Sequence, residues 1–144
     1  MPTPQLNWAV RVGNQLLAEQ LAYDHGELQQ MVGQDYPNLN EGQKRIYDEV
    51  LESVNGQRGD AYFVHSAGGC GKTHLFNLIA AGVHSAEKVV LCVASSGIAS
   101  LLLSGGRTAH SRFKIPIPVH EDSTCNIKKE DQHHQLLRHT ALII

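Results

Sequence analysis

The run Ser66-Ala67-Gly68-Gly69-Cys70-Gly71-Lys72-Thr73 is where this chain's residue types and spacing most clearly allow chemistry. It follows the pattern GxxxxGK plus serine or threonine, with serine replacing the first glycine. Glycines in such a loop let backbone N–H groups turn inward around phosphate oxygens, and a helix beginning at the lysine adds its positive end. Lys72 would reach the β and γ phosphates, and the Thr73 hydroxyl would ligate Mg²⁺. The spacing therefore predicts a nucleotide cradle of Ala67, Gly68, Gly69, Cys70, Gly71, Lys72, Thr73 and His74, binding MgATP. Lys72 and Thr73 are its catalytic pair, and Thr73 is its Mg²⁺ ligand. A glycine-rich turn that meets this pattern by accident is expected on the order of a few times in ten thousand chains of this length. Ser66 opens the loop where a tight backbone is usual, which predicts weaker affinity. Cys70 reads as a small tolerated side chain rather than a redox switch.

Two further groups carry polar chemistry. In Leu39-Asn40-Glu41-Gly42-Gln43, Asn40 and Gln43 stand three apart, as a capping box requires. From Ser95 to Arg112, hydroxyls (Ser96, Thr108, Ser111) lie among cationic and aromatic groups (Arg107, His110, Arg112, and Phe113 beyond), the inventory of a nucleic-acid groove. The nine histidines do not add a metal centre by spacing. His133 and His134 are adjacent and His139 lies five beyond the second, which does not set ligands on one helix face.

The whole-chain properties limit the alternatives. With 144 residues, 42% hydrophobic and 18% charged, the chain predicts one globular unit with a single core. A net charge of −2 and a pI near 6.5 exclude a broadly basic nucleic-acid binder, so any DNA contact must be a local groove. Cys70, Cys92 and Cys125 have no CxxC spacing and an odd count, which reads as reduced thiols in an intracellular protein. No secretory signal and no apolar run long enough to span a bilayer is visible in the sequence.

The elements that must position these groups follow from periodicity. Trp8, Val12, Leu16, Leu17, Leu21, Leu28, Met31 and Val32 recur at helical spacing, with a break near His25-Gly26. Asn40 starts a second helix, with Ile46, Tyr47, Val50, Leu51 and Val54 as its apolar stripe and a stop at Asn55-Gly56. Residues 61–65 read as a short strand and 72–81 as a helix ended by Gly82. Residues 88–94 read as a strand buried on both faces, 97–103 as a helix, 115–118 as an extended surface segment, 128–139 as a helix, and 141–144 as another buried strand. Strand and helix alternate, which predicts an α/β fold with a parallel sheet.

The flanks of the glycine loop carry a family resemblance. Leu39 to Gln43 resembles the Q motif, LNxxQ, that opens the helicase core of the PIF-like (petite integration frequency) family. The residues ASSGIASLLL (94–103) and GGRTAHSRFKIP (105–116) resemble motif Ia of the same enzymes. The run NQLLAEQLAY (14–23) is similar to the one preceding the core in Helitron-type transposon helicases. The resemblance implies a RecA-like P-loop NTPase domain over 38–144, carrying Q motif, Walker A loop and motif Ia, after an N-terminal helical segment, 1–37. It implies that Gln43 contacts adenine. It also implies that Ser96, Gly97, Thr108, His110 and Ser111 line a single-stranded DNA groove.

In that family the segment 136–144 leads into the Asp-Glu pair of Walker B, so the resemblance implies an incomplete motor domain. The loop-bearing strand would pair with a strand lying after that pair, which predicts unpaired apolar edges at 61–64 and 89–93, marginal folding and no hydrolysis by these residues alone. The implied parent is an ATP-dependent, 5′-to-3′ DNA helicase working as a monomeric motor, in the nucleus or alternatively the mitochondrion. The competing expectations are a non-catalytic transposon-derived remnant and an unrelated P-loop NTPase or kinase.

Overall fold

The computed structural model describes residues 13–144, so Trp8 and Val12 of the N-terminal pattern lie outside the described residues. Helices α1 (Gln15–Gln20) and α2 (His25–Asp35) follow. Their boundaries are set by caps. The Asn14 side chain accepts from Leu17 N at 3.0 Å, and Asp24 accepts from Gly26 N and Glu27 N at 2.9 and 3.0 Å. The break therefore falls just ahead of His25-Gly26. A single 3₁₀ turn, Tyr36–Asn38, leads to α3 (Glu41–Asn55).

Helix α3 begins with the capping box its sequence predicts. Asn40 Oδ1 accepts from Gln43 N at 2.9 Å, and Gln43 Oε1 accepts from Asn40 N at 3.0 Å. Its stripe of Tyr47, Val50 and Val54 is buried against Leu75, Leu78, Ile79 and Val83 of α4 (Lys72–Ser85). Each such side chain contributes about 1.5–3 kcal/mol by leaving water. The expected stop of α4 at Gly82 is a correction, because the helix runs on to Ser85. Gly82 is buried, and a Cβ there would collide with the Tyr47 hydroxyl, so this glycine lets two helices approach.

The expected strand at 61–65 is a second correction: the segment is extended but joins no ladder among the described residues. An apolar cleft of about 570 Å³ separates it from β4 (Thr140–Ile143), and Phe63 is 91% exposed.

The expected strand over 88–94 divides into β1 (Val89–Leu91) and β2 (Val93–Ala94) because the run changes partners at Cys92. β1 pairs in parallel with β4, Val90 opposite Leu142 and Leu91 opposite Ile143. β2 pairs in parallel with β3 (Arg107–Thr108), Val93 opposite Arg107 and Ala94 opposite Thr108. Ile144 N donates to Leu91 O at 2.9 Å and Val93 N to Ile144 O at 2.7 Å, whereas Cys92 O accepts from Arg107 N at 3.1 Å. Alternate residues of an extended run turn to opposite edges, so β4 and β3 flank it on two sides. This corrects the expectation of an unpaired edge at 89–93.

Both faces of the run are covered as well. Val89 and Leu91 pack with Leu17 and Leu136, while Val90 and Cys92 join the α3–α4 core. Burial pushes the Cys92 thiol up to about 11.

The remaining helices are shorter than their patterns suggest. Helix α5 covers Gly97–Ser100 instead of 97–103, and α7 covers Gln132–His139 instead of 128–139. Helix α6 (Ala109–Phe113) forms where the sequence pattern predicts no helix. β4 is half-exposed rather than buried, with Ile143 at 52%, because it borders the cleft. The described residues make an α/β fold of parallel strands and helices, RecA-like in kind, with helices α1 and α2 ahead of it.

Candidate functional site

The glycine loop lies between the extended segment and α4, and two of its glycines take conformations that side chains rarely adopt. Gly69 and Gly71 both have φ of +76°, the left-handed region. Gly71 serves as N-cap of α4 without a side-chain cap, so the first-turn N–H groups of a 14-residue helix have no side-chain acceptor. Lys72 and Thr73 stand in that first turn, with Thr73 and His74 exposed to solvent. Backbone N–H groups, a cation and a hydroxyl therefore stand at one helix end, a chemistry suited to an anion.

Lys72 folds back over the loop. Its Nζ donates to Ser66 O at 2.7 Å, to Ala67 O at 2.9 Å and to Ser66 Oγ at 3.0 Å. The side chain thus spans the loop it would serve and holds its first two residues against its last.

Gln43 reaches the same loop from α3. With Oε1 in the capping box, its Nε2 donates to Cys70 O at 3.2 Å. A Cβ on Gly71 would stand 3.0 Å from that Nε2, so the glycine also makes room for the strut. The amide is committed at both ends, and the adenine contact implied by resemblance requires one of these bonds to open.

The second group of expected residues gathers at the ends of two paired strands. Ser96 and Gly97 follow β2, and Thr108, His110 and Ser111 follow or end β3, which runs alongside in parallel. Ser96 Oγ accepts from Ala99 N at 3.2 Å, and Thr108 Oγ1 accepts from Ser111 N at 3.3 Å. Both hydroxyls therefore cap short helices, and each keeps its own proton to give to an outside acceptor. In open α/β sheets ligands bind beyond the carboxyl ends of the strands, where these residues stand.

One residue that sequence reasoning missed joins the two groups. Asn77, on α4, donates Nδ2 to Leu102 O at 3.0 Å and accepts Ser104 N on Oδ1 at 2.8 Å. Its signal was one polar residue inside an apolar helical run. Arg112, expected among the groove cations, is buried, with Nε lacking a partner among the described residues, and burial followed by the nearby Arg107 charge lowers its pKa. Among the described residues no group of three or more His, Cys, Asp or Glu is placed to hold a metal ion. No described helix is long and apolar enough to cross a membrane.

Parallel strands and a glycine loop leading into a helix, with the helix's first lysine folded back over the loop, are the features of a P-loop domain. The family model described as PIF1-like helicase matches residues 38–144, and the chain belongs to that family. The curated proteins yield no match to it. Helicases of this kind act on nucleic acid and generally use ATP with Mg²⁺.

Proposed function

We propose that this chain supplies the ATP-binding face and part of the single-stranded DNA groove of an ATP-dependent, 5′-to-3′ DNA helicase. Residues 38–144 form the motor portion, and helices α1 and α2 precede it. The observation that carries the reading is Asn77, which ties the helix bearing Lys72 and Thr73 to the turn leading into Thr108. A change at the phosphates is thereby linked mechanically to the strand ends. Lys72 neutralises the β and γ phosphates, Thr73 holds Mg²⁺, and Ala67 to Gly71 with His74 surround the phosphates. Ser96, Gly97, Thr108 and Ser111 give N–H and O–H donors to DNA phosphates, and His110 offers a ring to a base.

ATP turnover of the full-length protein, with and without single-stranded DNA, tests this. The reading expects DNA to stimulate turnover. It also expects Thr108→Ala with His110→Ala to weaken DNA binding while leaving DNA-free ATP affinity near its original value. Loss of both activities together would make the segment structural instead.

A further inference from the structure

Ser66 is the one departure from the glycine loop pattern, and its hydroxyl has a partner that glycine could not supply. An ammonium has three N–H donors, and Lys72 spends them on Ser66 O, Ala67 O and Ser66 Oγ. The two carbonyls are available whatever residue stands at position 66. The third acceptor exists only because that residue is serine. With a glycine there, one N–H of the ammonium would be left for an incoming phosphate oxygen. With serine, every donor is engaged before a nucleotide arrives.

We propose that the Ser66 hydroxyl is a displaceable latch on Lys72, which a nucleoside polyphosphate must release, so that Ser66 sets the affinity of this loop. The inference rests on the phosphate-loop reading above. Ser66 is a positioning residue: it acts through the ammonium. Its side chain is half-buried, and the bond is between a rotatable hydroxyl and a flexible ammonium, so release requires only a rotamer change. A charge-assisted bond of 3.0 Å contributes appreciably. Nearby solvent reduces that contribution, leaving an expected effect of roughly fivefold on the dissociation constant.

The test measures the affinity of the full-length protein for MgATP and for adenosine by calorimetry, in four forms: unaltered, Ser66→Ala, Ser66→Thr and Lys72→Ala. Ser66→Ala should bind MgATP roughly fivefold more tightly and leave adenosine affinity unchanged. Ser66→Thr, which keeps the hydroxyl, should behave as the unaltered protein. Thermal unfolding of the serine variants should stay close to the original, which separates a latch from a packing role. Unchanged or weaker MgATP binding by Ser66→Ala, with Lys72→Ala still failing to bind, overturns the latch alone. Full binding by Lys72→Ala overturns the phosphate-loop reading beneath it.

Discussion

Gln43 on α3 donates its Nε2 to the Cys70 carbonyl at 3.2 Å, bridging 27 positions of chain to hold the glycine loop against the helix that precedes it. The same side chain closes the capping box, so Gln43→Ala should cost about 1 kcal/mol of stability. Gln43→Glu separates the two roles, because a carboxylate still accepts from Asn40 N but has nothing to donate to Cys70 O. That variant should unfold close to the original temperature and bind nucleotide more weakly. If Gln43 acts as a strut, MgATP and MgGTP affinities fall by the same factor. If ATP alone is affected, the side chain reads adenine instead.

Asn77 makes two bonds to the turn beyond α5, and no other residue type of its size offers a donor and an acceptor side by side. Asn77→Ala should lower stability by about 1–3 kcal/mol. It should also weaken single-stranded DNA binding more than nucleotide binding. Chemical denaturation and DNA titration of the full-length protein check this. An unaltered DNA affinity would show that the turn holds its place without the amide.

His84 introduces a pH dependence. It is buried beside Tyr23, with ring centroids 4.2 Å apart, and burial lowers its pKa to about 4. The unfolded chain, with a value near 6.5, binds the proton more readily between those limits. Stability is therefore full well above pH 6.5 and falls as the pH drops through 4, by roughly 3 kcal/mol in all. Denaturation midpoints at pH 7.5 and 5 measure the loss. His84→Phe should flatten the difference, and an unchanged slope in that variant would assign it to another group.

Much of this architecture can be read in the sequence where one local signal decides the outcome. The Asn40–Gln43 spacing specifies the start of α3 because both cap bonds are made within a single turn. The buried run at 89–91 announces itself because both faces are covered by helices. What could not be read depends on distant partners. The split at Cys92 exists because Arg107 and Ile144 approach from opposite edges, and neither is near it in sequence. Residues 61–65 have strand composition but join no ladder among the described residues, since composition carries no information about whether a neighbour is present. Gly82 looks like a helix stop until Tyr47 is seen over it. Within the site, residue types marked the loop, but the fold-back of Lys72 and the reach of Gln43 and Asn77 required three dimensions.

The central claim is that Lys72 and the glycine loop bind the phosphates of ATP, and calorimetric titration of MgATP into the unaltered protein and the Lys72→Ala variant tests it most directly. Removing a charged partner from a phosphate should weaken binding by at least about thirtyfold, with the variant still folded by circular dichroism. Equal affinity in the two proteins would contradict the account.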